Sequence, residues 1–98
     1  MLEIRQTPDF AEWMKGLADH KGKAKIASRI ERLAHGNPGD VAPVGEGVSE
    51  LRIHSGPGYR VYFQQRGKVL ILLLCGGDKS TQDRDIKNAK LLASEYED

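Results

Sequence analysis

The chain has 98 residues, 39% of them hydrophobic and 30% charged, which is typical of one small soluble domain and argues against disorder. Fifteen Lys and Arg residues against fourteen Asp and Glu residues give a net charge of +1, so the whole-chain balance points to no polyanionic partner. The single cysteine excludes an internal disulfide, and the longest apolar run, Val69–Cys75, is far too short to cross a membrane. No apolar signal segment begins the chain, and no Cys/His cluster has metal-ligand spacing. We therefore expect one cytoplasmic domain over residues 1–98, with no metal, cofactor or membrane.

The first half of the chain predicts a short strand followed by two helices. Leu2 and Ile4 alternate with charged residues, as in a strand, and Thr7-Pro8 is typical of a helix start. Apolar residues then recur at helical spacing in two stripes: Phe10, Trp13, Met14 and Leu17, then Ile26, Ile30 and Leu33. Gly36 ends the second helix. The two helices are expected to form an antiparallel hairpin on one face of a sheet.

The second half changes to the period of strands. Three alternating or apolar segments predict a meander: Leu51–Ile53, Tyr59–Gln64 and Val69–Cys75. Residues Val44–Val48 are interpreted as a turn into the first of these strands. A closing helix is expected after Gly76-Gly77, with Ser80 and Asp83 as a capping box or Thr81 as the cap. The predicted fold is α+β, in the order β-α-α-β-β-β-α, with an antiparallel sheet.

Parity restricts how the first two meander strands pair. If Leu51 and Val61 share the core face, either Arg52 or His54 lies opposite Arg60. Both registers place five residues on the other face: Arg52, His54, Arg60, Tyr62 and Gln64. Because like charges repel unless an anion lies among them, this face is a candidate phosphate site. An ordinary solvated sheet face is the alternative.

Two further features point to anion and proton chemistry. Lys79 follows the last strand at the expected start of the closing helix, where free backbone N–H groups favour anions. A true P-loop is excluded, because Asp78 and Leu73 occupy its glycine positions. Between two arginines, the neutral imidazole of His54 would be favoured, which suits a general base. Each feature also has a purely structural interpretation. Lys79 would then belong to an ordinary strand-to-helix turn, and His54 would be a surface histidine.

Several blocks together resemble the phage-derived "addiction module killer protein" branch of the RelE/ParE toxin superfamily, the HigB-like branch. The most specific are Gly56–Phe63 (GPGYRVYF) and Gly76–Gln82 (GGDKSTQ). The remaining matches occur in order along the chain: Trp13, Arg29–Leu33, Gly36–Asp40, Val44–Val48, Glu50–Ile53, and Asp85, Ile86 and Ala89. The resemblance covers nearly the whole chain.

This resemblance implies a bacterial toxin silenced by a helix-turn-helix (HigA-like) antitoxin, with operator DNA contacted only through that antitoxin. It also implies a metal-independent, ribosome-dependent mRNA endoribonuclease, in which a ribose 2′-hydroxyl attacks the adjacent phosphate. Such chemistry requires a base, cations for the phosphate charge and an acid for the leaving oxygen. Alternatives within the superfamily are a non-enzymatic ParE-like gyrase poison and a degenerate toxin that acts only in transcriptional autoregulation.

Residue by residue, the resemblance assigns roles to the candidate face. Arg60 matches the phosphate clamp of the Gly-Tyr-Arg strand, and Lys79 matches the basic position after the last strand. Arg52 and His54 match more loosely and complete the expected catalytic set. The expected RNA contacts are Tyr62, Gln64, Gln82 and Arg84. Arg66, expected at a distal turn, is predicted to lie outside the site.

Overall fold

The computed structural model describes residues 1–97 and contains a five-stranded sheet with helices on both faces. The elements in chain order are β1 Glu3–Gln6, α1 Pro8–Gly16, α2 His20–Ala34, β2 Val41–Gly45, β3 Val48–Ile53, β4 Tyr59–Arg66, β5 Leu70–Gly77, a 3₁₀ turn Lys79–Thr81, and α3 Gln82–Glu95. As predicted, Thr7 caps α1, because its hydroxyl oxygen accepts a hydrogen bond from the Phe10 N–H at 3.1 Å.

The strand order across the sheet is β1-β5-β4-β3-β2. The predicted α+β class is confirmed, and β2 to β5 form an antiparallel meander. The first strand departs from the antiparallel expectation, because β1 pairs with β5 in parallel, from Glu3 opposite Leu70 to Gln6 opposite Leu73. The chain between these two strands includes the helical hairpin and the rest of the meander, which is ample length for a parallel return.

An edge strand, β2, was not predicted from the sequence. The interpretation of Val44–Val48 as a turn is wrong at its start, because the strand continues to Gly45 and only Glu46-Gly47 turn, with φ of 55° and 77°. Pro43 lies within β2, next to a register shift. Proline is tolerated there because the strand is at the edge of the sheet, where one row of backbone groups has no ladder partner.

Both faces of the sheet are covered, so the alternative of an ordinary solvated hairpin face is wrong. On one face, α1 and α2 pack over a cluster that includes Phe10, Ile26, Leu51, Val61 and Ile71. On the other face, α3 packs over a second cluster: Val48, Tyr62, Leu72, Leu74, Cys75, Ala89 and Ala93. Strand β5 is buried on both sides, as its continuous apolar run predicted.

The register of β3 and β4 is one of the two that parity allowed. Arg52 lies opposite Arg60, and Leu51 lies opposite Val61. The ladder ends at the pair Ile53–Tyr59, so His54 lies beyond it, at the start of a five-residue connection. The core face of this pair was therefore predicted correctly.

Two glycines at the end of β5 are required by close packing from opposite sides. A Cβ at Gly76 would collide with the Trp13 ring, and a Cβ at Gly77 would collide with Asp85 Oδ2. We expect Gly77→Ala to lower the free energy of unfolding by about 1–3 kcal/mol, the usual range for overpacking. Gly16→Ala is the matched control, because nothing lies within 4 Å of its Cβ position, and it should be neutral or stabilising. Urea unfolding measures both variants, and equal midpoint shifts would contradict the packing argument.

Candidate active site

The candidate site lies where three strands meet at one end of the sheet. Arg60, near the start of β4, has Arg52 of β3 opposite it on one side and Gly77 of β5 on the other. Lys79 follows Gly77 by two residues, and its side chain lies against Gly58, where an added Cβ would be 3.0 Å from Lys79 Cγ. The fold therefore brings Arg52, Arg60 and Lys79 to the same end of the sheet.

A buried carboxylate organises the two arginines. The side chain of Glu50 is only 2% exposed, and its Oε1 accepts a hydrogen bond from Arg52 Nε at 3.1 Å and lies 3.4 Å from Arg60 Nε. The Nε2 of Gln82, in the first turn of α3, donates to Glu50 Oε2 at 3.0 Å. The sequence reasoning missed Glu50, although its parity with Arg52 places it on the same face of β3.

Arg60 is buried, which the sequence reasoning did not anticipate. Its side chain is 9% exposed, because α3 covers this face of the sheet. The argument that the arginines need an external anion is also wrong, since Glu50 supplies that anion from within the protein. Arg60 Nε has no hydrogen-bond partner among the described residues, so its contact with Glu50 is an ion pair of poor alignment.

Asp40 forms a second acidic contact at this end of the sheet. Its Oδ2 lies 2.6 Å from Nε2 of His54, and its Oδ1 lies 3.7 Å from Arg52 Nη1. The hydrogen bond with His54, assisted by the positive charge of Arg52, holds the pKa of Asp40 below its usual value. His54 is 73% exposed and has the Asp40 carboxylate beside it, a neighbour that the expected position between two arginines did not include.

The Asp40 contacts predict a specific pH dependence. Because the pKa of Asp40 is lower in the folded state, its stabilising contribution is present above its unfolded value of 3.8 and is lost as the pH falls through the folded pKa. Asp40→Asn should therefore melt at a lower temperature than the wild type at pH 6, and the difference should shrink towards pH 3. Thermal unfolding across this range measures it. A difference independent of pH would show that the ionised carboxylate is not the stabilising form.

The segment between β5 and α3 presents Lys79 on an open surface. Asp78 caps the 3₁₀ turn, because its Oδ1 accepts from the Ser80 N–H at 2.8 Å and from the Ser80 hydroxyl at 2.5 Å. These bonds lower the pKa of Asp78. Within residues 1–97, Lys79 forms no ion pair with a carboxylate. An open pocket here is lined by Lys79, Ser80, Thr81, Gln82, Asp83 and Arg84.

The predicted capping box of α3 is wrong. Thr81 is the residue that precedes the helix, and its hydroxyl donates to Asp85 Oδ2 at 2.5 Å, so it does not cap the backbone. Asp85 is itself buried, lies close to Gly77, and has its Oδ1 3.9 Å from Arg84 Nε. Asp83 and Asp85 add two negative charges to the first turn of α3, and this weakens the predicted backbone anion site because like charges repel.

The four expected RNA contacts lie in different environments. Tyr62 is fully buried in the cluster beneath α3, so a base cannot stack on it, and burial raises the pKa of its hydroxyl. Gln64 lies towards the opposite end of β4, beside Arg66 and Glu46. Gln82 is held by Glu50 next to the site. Arg84 is 79% exposed and lines the open pocket.

Arg66 borders the distal turn between β4 and β5, as predicted, but it is also a structural residue. Its guanidinium donates to the carbonyl oxygens of Ala93 and Tyr96, each at 2.7 Å, and lies 5.5 Å from the centre of the Tyr96 ring. Arg66 therefore holds the C-terminal end of α3 against β4. It is unsuitable as a neutral control for the site.

Cys75 and the possible metal ligands add no chemistry to this site. The thiol is buried, donates to the Asp85 carbonyl oxygen at 3.6 Å, and has its pKa raised to about 12, mainly by burial. In the described part of the chain, no three His, Cys, Asp or Glu side chains are grouped so as to hold a metal ion.

The arrangement of the sheet and helices defines a RelE-like fold. A double mutant of the E. coli toxin RelE in the free state superimposes with a TM-score of 0.71 over 92% of this chain and 94% of that chain, at 13% sequence identity. The chain belongs to the family described as "Phage derived protein Gp49-like", which matches residues 12–96. The family match confirms the predicted phage-derived family, and the structural match confirms the predicted RelE-like fold.

A further relative is similar in sequence along most of its length. The chain is 54% identical over 94 residues to an uncharacterized protein of Haemophilus influenzae, covering 96% of this chain and 95% of that protein. Across the described residues, no helix has the length and apolar content needed to cross a bilayer.

Proposed function

We propose that this protein is the toxin of a bacterial type II toxin–antitoxin pair, bound and silenced by a helix-turn-helix antitoxin. Membership of the phage-derived Gp49-like family together with the RelE-like fold supports this proposal. Induction in a bacterium that lacks the antitoxin is expected to stop growth, and co-expression of the neighbouring antitoxin gene is expected to restore it. Unimpaired growth on induction would contradict the proposal.

The finer proposal is that the toxin is a metal-independent mRNA endoribonuclease that acts on the ribosome. The observation that carries it is the meeting of Arg52, Arg60 and Lys79 at one end of the sheet. In this mechanism Lys79, which no described carboxylate pairs with, contacts the phosphate directly. Arg52, with 39% of its side chain exposed, adds a second cation, and buried Arg60 contributes positive charge from beneath.

Proton transfer is assigned to His54. A carboxylate bonded to one imidazole nitrogen fixes the tautomer and orientation of the ring, as Asp40 does through Nε2. Nδ1 is then available to exchange a proton with the 2′-hydroxyl or the leaving 5′-oxygen. Glu50 is a positioning residue, because its buried carboxylate holds both arginines and does not reach solvent.

The test uses purified protein, purified ribosomes and a defined mRNA. Wild-type protein is expected to cut the message and to leave 2′,3′-cyclic phosphate or 3′-phosphate ends, because the 2′-hydroxyl is the nucleophile. The products are read by primer extension and end-group analysis. An intact message at stoichiometric protein would contradict the nuclease proposal without affecting the proposal of a toxin.

One observation favours a second candidate, a non-enzymatic gyrase poison. The negative charges of Glu50 and Asp40 balance the positive charges of Arg52 and Arg60. This part of the site is therefore nearly neutral, unlike a surface selected for RNA. For this candidate, induced cells accumulate cleaved gyrase–DNA complexes while their mRNA remains intact. The two readouts together separate the candidates.

A further inference from the structure

Arg29, in the second half of α2, is a half-buried arginine that is bonded to backbone oxygens and not to a carboxylate. Its Nη1 donates to the carbonyl oxygen of Arg52 at 2.6 Å, and its Nη2 donates to those of Pro38 and Asp40 at 2.9 and 3.3 Å. Within residues 1–97, no ion pair joins Arg29 to an acidic side chain. The guanidinium therefore fixes the positions of backbone segments.

The three acceptors belong to two separate segments, which Arg29 ties together. Pro38 and Asp40 lie in the loop before β2, and Arg52 lies near the end of β3. The Asp40 carbonyl oxygen also accepts from the Arg52 N–H at 3.0 Å. The loop passes so close to the guanidinium that a Cβ on Gly39, where φ is 71°, would lie 3.1 Å from Arg29 Nη2. The backbone of Asp40 is therefore held from both α2 and β3.

Asp40 and His54 are the two side chains that these segments bring into contact. Asp40 Oδ2 lies 2.6 Å from His54 Nε2, although the two side chains are 39% and 73% exposed. Exposed polar pairs are held only weakly by their own attraction, because ordering two side chains costs entropy and water competes for their hydrogen bonds. The contact therefore depends on how far apart the two backbones are held. Arg29 bonds to Asp40 on one side and to Arg52, two residues before His54, on the other.

We propose that Arg29 is a positioning residue that holds the Asp40 carboxylate against His54 and so orients the imidazole. The orientation itself is independent of any reaction. Its importance for cleavage rests on the proposed function, in which His54 transfers the proton. A role through charge alone fits less well. The hydrogen bond with His54 is the main cause that lowers the pKa of Asp40, and among the charges that lower it, that of Arg29 contributes least.

A lysine at position 29 separates the effect of geometry from that of charge. It keeps the positive charge but carries its donors on a single nitrogen, so it cannot reach both segments as the two Nη atoms of arginine do. Arg29→Lys is therefore the test variant. Arg32→Lys is the matched control, because Arg32 is exposed on the same helix and forms no ion pair with a described carboxylate. Gly39→Ala is a second test variant, which crowds the guanidinium from the loop side and leaves α2 unchanged.

The first measurement is the Nε2–H signal of His54 in the NMR spectrum of the isotope-labelled full chain. This proton is protected from exchange with water only while it is bonded to Asp40. We expect the wild type and Arg32→Lys to show the signal, and Arg29→Lys, Gly39→Ala and Asp40→Ala to lose it. His54→Gln assigns the signal, since the chain has three histidines. Circular dichroism confirms that each variant is folded at the temperature used.

The second measurement is single-turnover cleavage of a defined mRNA on purified ribosomes. Arg29→Lys should lower the maximal rate by about 10²-fold, the scale for misplacing a reacting group by ~1 Å. The ribosome concentration that gives half the maximal rate should not change, because Arg29 acts through His54 and does not contact the substrate. Arg32→Lys should cleave at the wild-type rate.

An Nε2–H signal retained in folded Arg29→Lys would overturn the proposal, as would its absence from the wild type or its equal loss in Arg29→Lys and Arg32→Lys. If Arg29→Lys does not fold, the same signal in Gly39→Ala decides. Loss of the signal with cleavage at the wild-type rate would overturn the role of Arg29 in the reaction. If the wild type leaves the message intact, only the proposed nuclease is contradicted, because loss of the signal in Arg29→Lys still supports the positioning of His54.

Discussion

Lys79→Ala is expected to lower the rate of mRNA cleavage on purified ribosomes by about 10²–10³, with the fold and antitoxin binding intact. The loss of one donor that meets charge developing in a transition state has this scale. Lys79 is the clearest residue for this test, because it is exposed and forms no ion pair with a described carboxylate. Its removal therefore leaves no buried charge behind. Single-turnover cleavage of a defined message measures the effect.

The control for this variant is Lys68→Ala, which removes the same charge from the turn between β4 and β5. That turn lies at the opposite end of these strands from Arg60 and Gly77, and Lys68 is exposed. We expect wild-type rates for this control. Equal losses from both variants, or an unchanged rate in Lys79→Ala, would remove Lys79 from the mechanism.

Periodicity predicted much of the fold because its signals are local. Alternation along β3 and β4 identified the core face of Leu51 and Val61, and the same parity allowed the pairing of Arg52 with Arg60. Helix stripes and the Thr7 cap were likewise evident from neighbouring residues. The edge strand β2 was not predicted, because its proline and its glycine carry no strand signal and the strand forms only by pairing with β3.

Whether the candidate site is open or buried depends on tertiary packing, which no local sequence pattern reveals. The buried face of α3 carries Asp85, Ala89 and Ala93, and such small side chains give a weak stripe. Nothing in that stripe indicated that α3 would cover the even-numbered positions of β4 and bury Tyr62 and Arg60. The sequence could place the arginines on one face, but it could not show that this face was closed.

The carboxylate partners were hidden for a related reason. Glu50 precedes Arg52 by two residues, which is visible in the sequence, yet its contact with Gln82 spans 32 residues and exists only when α3 docks. Asp40 belongs to a turn before an unpredicted strand, and it reaches His54 across 14 residues. Charge pairing at this site is therefore a property of the assembled sheet.

Glu50→Ala is expected to lower the free energy of unfolding by about 3–5 kcal/mol, the range for removing one partner of a buried ion pair. The substitution leaves Arg60, only 9% exposed, with no carboxylate beside it, and leaves Gln82 without its acceptor. For a chain of this size, 1 kcal/mol corresponds to about 4–8 °C, so the melting temperature should fall by at least about 12 °C. Calorimetry or circular dichroism measures the shift.

Two further variants separate the effect of the buried charge from that of losing the side chain. Glu46→Ala removes an acid that is 72% exposed and whose contact with Lys90 is 3.8 Å, so its cost should stay below about 1 kcal/mol. Glu50→Gln keeps the shape and an acceptor oxygen but loses the charge, so it should fall between Glu50→Ala and the wild type. If Glu50→Gln matches the wild type in stability yet cleaves slowly at a temperature where it is folded, the carboxylate serves mainly to orient Arg52 and Arg60. If all three variants melt at the wild-type temperature, the buried network does not hold the sheet to α3. The assignment of Glu50 as a positioning residue is then also wrong.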